Sequence, residues 1–114
     1  MPRSPITTHV LDIARGRPAA GVKVKLEGQF NGGYKELANG TTDVDGRITD
    51  WLPEGKLELG VYRITFNTQG YQWEHVEKSF YPYVSIVFEV NDNNQHYHVP
   101  LLLSPFGYST YRGS

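Results

Sequence analysis

The segment HYHVP, residues 96–100, sets two imidazoles two residues apart. On an extended chain His96 and His98 project from one face and Tyr97 and Val99 from the other. Histidine has an ordinary pKa of about 6.5 and takes up or returns a proton near neutrality. Such a pair suits acid–base chemistry or metal binding. The plainer reading has one ring hydrogen-bonded in a crowded sheet while the other faces water. His9 is a third candidate, alternating with Thr7, Leu11 and Ile13; a lone histidine in such a place is otherwise a satisfied, partly buried one. His75 belongs to no constellation and reads as a surface residue. A His-x-His strand joined by a distant third histidine would make a three-histidine zinc site with an open position. Nothing else in the sequence supports that reading, and no metal is expected.

The stretch TTDVDGRITD, residues 41–50, holds the next candidate. Asp43-x-Asp45-Gly46 resembles part of a calcium loop, but the acidic residue that closes an EF-hand loop falls on Leu52. Asp45-Gly46 reads instead as a tight turn whose glycine tolerates positive φ. Arg47 then leaves the turn in a fixed direction, and its planar fork suits a carbonyl or carboxylate. The alternative is a surface arginine paired with a nearby aspartate. The chain has no cysteine, which removes disulfides, thiolate catalysis and cysteine-held zinc.

The elements that must position these groups read as strands. In GVKVKLEG, Val22, Val24 and Leu26 alternate with Lys23, Lys25 and Glu27, as in a strand with one buried and one wet face. VYRITFN sets Tyr62, Ile64 and Phe66 together, and VSIVFEV sets Val84, Ile86, Phe88 and Val90 together. ITTHVLDIA, HYHVPLLL and GYSTYRGS also read as extended, with turn signals at GRPAAG, NGGY, DVDG, PEG and NDNN. Only residues 69–78, QGYQWEHVEK, suit a short helix. Pro100 lacks a ladder donor, so it points to an edge, a bulge or a strand start, and hence to a sheet edge near His98. Seven or eight short strands at regular spacing predict an all-β, antiparallel two-sheet sandwich with at most one short helix.

The 114 residues fit one domain spanning 1–114, with a modest core and little room for a deep enclosed pocket. Eleven Lys and Arg face twelve Asp and Glu, without a basic block, so nucleic acid is not expected as a partner. No apolar stretch nears the roughly 20 residues that span a bilayer, so no membrane association is expected, and MPRSPITTHVL lacks the apolar segment of a secretory signal. The expectation is a soluble, cytoplasmic domain, with the peroxisome as the eukaryotic alternative; YRGS is not a peroxisomal address.

Four stretches in order give these residues a shared setting: TTHVLD (7–12) with GRPAAGV (16–22), DGR (45–47), HYHVPLLLSP (96–105) and YSTYRGS (108–114). Together they resemble the transthyretin-like family of 5-hydroxyisourate hydrolases over nearly the whole chain. The terminal Tyr-Arg-Gly-Ser is the most specific element, since transthyretin proper, the hormone carrier on the same fold, lacks it. The resemblance implies opening of the six-membered ring of 5-hydroxyisourate, the product of urate oxidation, with no metal or organic cofactor. It also implies an eight-stranded sandwich in a homotetramer, a dimer of dimers with active sites at a subunit interface. Carried over residue by residue, it makes His9, Arg47 and His98 catalytic. Ser114 and Tyr111 become substrate-binding residues, and His96 supports them from behind. The competing expectation is a small-ligand carrier on the same fold.

Overall fold

A computed structural model of the chain describes residues 4–52, 57–74, 76 and 78–114. Nine strands follow in order: β1 (Ile6–Asp12), β2 (Arg17–Pro18), β3 (Lys23–Phe30), β4 (Gly33–Thr41), β5 (Arg47–Ile48), β6 (Gly60–Phe66), β7 (Val84–Val90), β8 (Tyr97–Ser104) and β9 (Gly107–Thr110). They form two sheets. One runs β2-β1-β8-β9, with β5 also paired to β1, and the other runs β4-β3-β6-β7.

The alternation in the sequence becomes the interior. Val22, Val24, Leu26, Tyr62, Ile64 and Phe66 are all buried, and Val84 and Val90 close the same layer. From the facing sheet come Ile6 and Val10 of β1 and Tyr97, Val99, Leu101 and Leu103 of β8. Successive residues of a strand point to opposite faces. The residues between these core positions, Thr7 and His9 on β1 and His98 on β8, therefore stand on the outer face of the five-stranded sheet.

Two features depart from the sequence reading. The sandwich is not wholly antiparallel, because β1 and β8 pair in parallel, with Thr7 opposite His98 and His9 opposite Pro100. Parallel partners need a long connection between them, and here most of the chain lies between the two strands. Alternation along one strand does not reveal the direction of its partner. Nor is there a helix among the described residues of 69–78. Tyr71 and Trp73 are buried instead, with rings edge-to-face at 4.9 Å. The Tyr71 hydroxyl donates to Asp12 Oδ2 at 2.8 Å, and Trp73 Nε1 donates to the Thr68 carbonyl at 2.9 Å. Inward anchors two residues apart suit a pinned loop better than a 3.6-residue period. His75 lies outside the described residues.

Candidate active site

Arg47 owes its position to the turn before it. The Gly46 amide donates to the Asp43 carbonyl at 2.9 Å, and Asp43 Oδ1 accepts from the amides of Asp45 and Arg47, both at 2.9 Å. Gly46 has φ 75°, and a Cβ there would collide with the Val10 carbonyl oxygen. Glycine is required on both counts. The turn is fastened to β1 by the Val10 amide, which donates to the Gly46 carbonyl at 2.7 Å. Arg47 then pairs directly with His9, and its side chain is exposed.

His9 is half-buried, and its pKa is lowered from the ordinary histidine value. Burial is the main cause, since it disfavours the charged ring, and the Arg47 guanidinium adds to it. A backbone hydrogen bond with Asp45 and the carboxylates of Asp43 and Asp45 oppose the shift in part. The ring is thus held toward its neutral form beside a permanent positive charge.

His98 is gripped from two sides. Its Nδ1 lies 2.8 Å from Thr7 Oγ1 on β1, and the same oxygen lies 2.8 Å from His96 Nε2. The two rings are nearly parallel, with centroids 6.5 Å apart and 20° between planes. On the far side the Gly113 amide donates to the His98 carbonyl at 2.9 Å, an isolated bridge just beyond β9. A Cβ on Gly113 would come within 2.5 Å of His98 Cδ2, so only glycine lets the tail lie this close to the ring. The sheet edge expected at His98 is not there, because β8 is an inner strand. Pro100 is accommodated because pairing with the tail lapses between Leu101–Thr110 and His98–Gly113. Its carbonyl accepts from Thr110 Oγ1 at 2.6 Å.

The strand registers now bring the expected residues together. Arg47, His9 and Pro100 form one row across the sheet, and Thr7, His98 and Gly113 form the row beside it. Ser114 follows Gly113 and is exposed. Tyr111 is exposed too and borders a cleft of about 300 Å³ with Ile86, Phe88, Tyr97, His98 and Arg112. Arg112 turns the other way: its guanidinium lies over the Tyr97 ring at 4.5 Å and donates to Gln95 Oε1 at 2.7 Å. It straps the tail down and does not face the imidazoles. Among the described residues no three of the His, Asp and Glu side chains are grouped to hold a metal ion. A larger depression, on the outer face of the other sheet, is lined by Lys23, Lys25, Glu27, Glu36 and Arg63 and holds no histidine.

Thr7 was missed in the sequence. It is 1% exposed, and its only signal there is that it shares an alternating face with His9. Asp43 was also missed as the residue that shapes the turn. The Asp-x-Asp-Gly pattern was its signal, since a short carboxylate there accepts amides two and four residues on.

Known proteins resemble the chain over nearly its whole length. The 5-hydroxyisourate hydrolase of Mus musculus is 45% identical over 114 residues, which cover 97% of this chain and 96% of the mouse protein. The structure of Klebsiella pneumoniae 5-hydroxyisourate hydrolase superposes with a TM-score of 0.82 at 35% identity, over the full length of both chains. Sea bream transthyretin, solved in complex with thyroxine, gives a TM-score of 0.88 at 33% identity, over 96% of this chain and 95% of its own. The family model described as HIUase/Transthyretin matches residues 6–113, and the chain belongs to that family.

Proposed function

We propose that this protein hydrolyses 5-hydroxyisourate by opening its six-membered ring. The observation that carries the reading is the pair of rows on one sheet face, Arg47–His9 and Thr7–His98–Gly113, with Ser114 next in the chain. The similarity to a mouse and a Klebsiella hydrolase of that name supports it.

The reaction adds one water across an amide-like C–N bond. The water oxygen attacks the ring carbonyl carbon as its proton passes to a neutral imidazole. The C–N bond then breaks, and the leaving nitrogen receives a proton. His98 serves as the base. His9, held neutral by burial and by Arg47, orients the water or returns the proton to nitrogen. Arg47 holds the substrate and balances negative charge growing on the carbonyl oxygen. Ser114 and Tyr111 fix the substrate's orientation. The site faces outward, so a second copy of the chain covers it, and the working form is a tetramer, a dimer of dimers. The reaction needs no metal or organic cofactor.

Sea bream transthyretin shares the fold closely, which keeps a carrier role in view. Fold alone does not assign function. A carrier of apolar ligands needs an apolar surface, and this face presents two imidazoles and a guanidinium. The test is spectroscopic: urate is oxidised by urate oxidase with and without the protein. Faster decay of the 5-hydroxyisourate absorbance is expected with it, and an unchanged decay rate would sink the proposal.

A further inference from the structure

A threonine hydroxyl carries one proton and two lone pairs. Thr7 Oγ1 nevertheless makes two contacts of 2.8 Å, one to His98 Nδ1 and one to His96 Nε2. Each contact needs one hydrogen between its heavy atoms, and Thr7 supplies only one. At least one ring nitrogen must therefore arrive protonated. With Thr7 1% exposed, bulk water does not take over either contact. The three groups form one chain of hydrogen bonds.

We propose that Thr7 is a positioning residue that sets the tautomer of His98 and links it to His96. The chain runs from His98 Nδ1–H to Thr7 Oγ1, and from Thr7 O–H to His96 Nε2. That order leaves the lone pair of His98 on Nε2, the nitrogen away from Thr7, where the hydrolytic reading needs its base. When Nε2 takes that proton, the Nδ1 proton can pass to Thr7 Oγ1 while the threonine's own proton passes to His96 Nε2. His98 is then neutral with its hydrogen on Nε2, and the positive charge resides on His96. No proton is lost, and reversal restores the starting state. The near-parallel rings and the clamp of Gly113 on the opposite edge of His98 hold the geometry in which this transfer is short. This role for Thr7 rests on the hydrolytic reading of the site.

The first test does not depend on turnover. Nitrogen-15 NMR of the histidine rings in the full-length protein at neutral pH is expected to show His98 protonated at Nδ1. A neutral His98 carrying its proton on Nε2 instead would overturn the proposal. The second test uses Thr7→Val, which keeps the shape and removes the hydroxyl, and Thr7→Ser, which keeps the hydroxyl. Thr7→Val is expected to lower kcat roughly 10- to 100-fold, part of the about 100- to 10,000-fold that a positioned base contributes. KM should change little, and Thr7→Ser should recover most of the loss. Unchanged kcat in a folded Thr7→Val protein would count against the proposal, as would a loss that Thr7→Ser does not repair. If Thr7→Val does not fold, the wild-type NMR result decides. A wild-type protein that leaves 5-hydroxyisourate decay unchanged sinks the hydrolase reading instead, and the tautomer measurement stays separate from that failure.

Discussion

Arg47 and His98 reach the same face by different means, one from a turn and the other from an inner strand, and their substitutions should behave alike. Arg47→Ala and His98→Ala are each expected to cost at least on the order of a hundredfold in turnover, the usual loss when a charge stabiliser or a positioned base is removed. Arg47 is exposed and makes no side-chain hydrogen bond among those described, so its loss should move stability by less than about 0.5 kcal/mol. The decay of freshly made 5-hydroxyisourate and thermal unfolding measure the two effects. His9 adds a pH dependence whose sign follows from its burial. Its folded pKa lies below the ordinary 6.5, so the step in activity that its own protonation causes should fall below the value of a free histidine. Stability follows the same sign: as pH drops below 6.5 the unfolded chain binds the proton before the folded one, and the contribution is lost toward the folded pKa. An NMR titration that places the His9 ring above 6.5 would overturn this. These side chains were legible because imidazole and guanidinium groups can carry such chemistry and the family resemblance tied them to one site. Thr7 was not, because threonine is an ordinary strand residue and only the register with β8 reveals its two partners.

At the scale of the element, the turn and the tail carry the precision of the site. Gly46→Ala combines a strained φ with a collision against the Val10 carbonyl, and is expected to cost about 1–3 kcal/mol and to loosen Arg47. Gly113→Ala meets the His98 ring instead of backbone, so turnover should fall far more than unfolding temperature. Deleting residues 111–114 should act in the same direction, through the lost His98 bridge and the Arg112 strap over Tyr97. A truncated chain that fails to fold would make the tail structural. The strands β3, β6 and β7 could be read residue by residue, because alternation is local. The parallel pairing of β1 with β8 could not, since it joins segments about ninety residues apart and depends on all that lies between. The short helix that residues 69–78 could have formed is absent among the described residues for a related reason. Tyr71 is drawn inward by Asp12, a residue on another element.

For the whole molecule, shape says less than surface chemistry. The chain superposes on a thyroxine-bound transthyretin and on a hydrolase about equally well, so the choice between carrier and enzyme falls to the outer face of one sheet. That face is open in the single chain, and light scattering coupled to gel filtration is expected to give a mass four times that of the 12.9 kDa chain. A monomer that turns over at full rate would show that the site needs no second copy. Dialysis against a chelator should leave turnover unchanged.

The strand β8 serves two masters on opposite sides, with Val99, Leu101 and Leu103 turned inward and His98 turned outward. Adding or deleting a single codon within it would trade the two sets, sinking imidazoles into oil and lifting leucines into water. Length changes in descendants of this sequence are therefore expected to gather in the connections, such as residues 91–94, while β8 itself drifts only by exchange of one side chain for another.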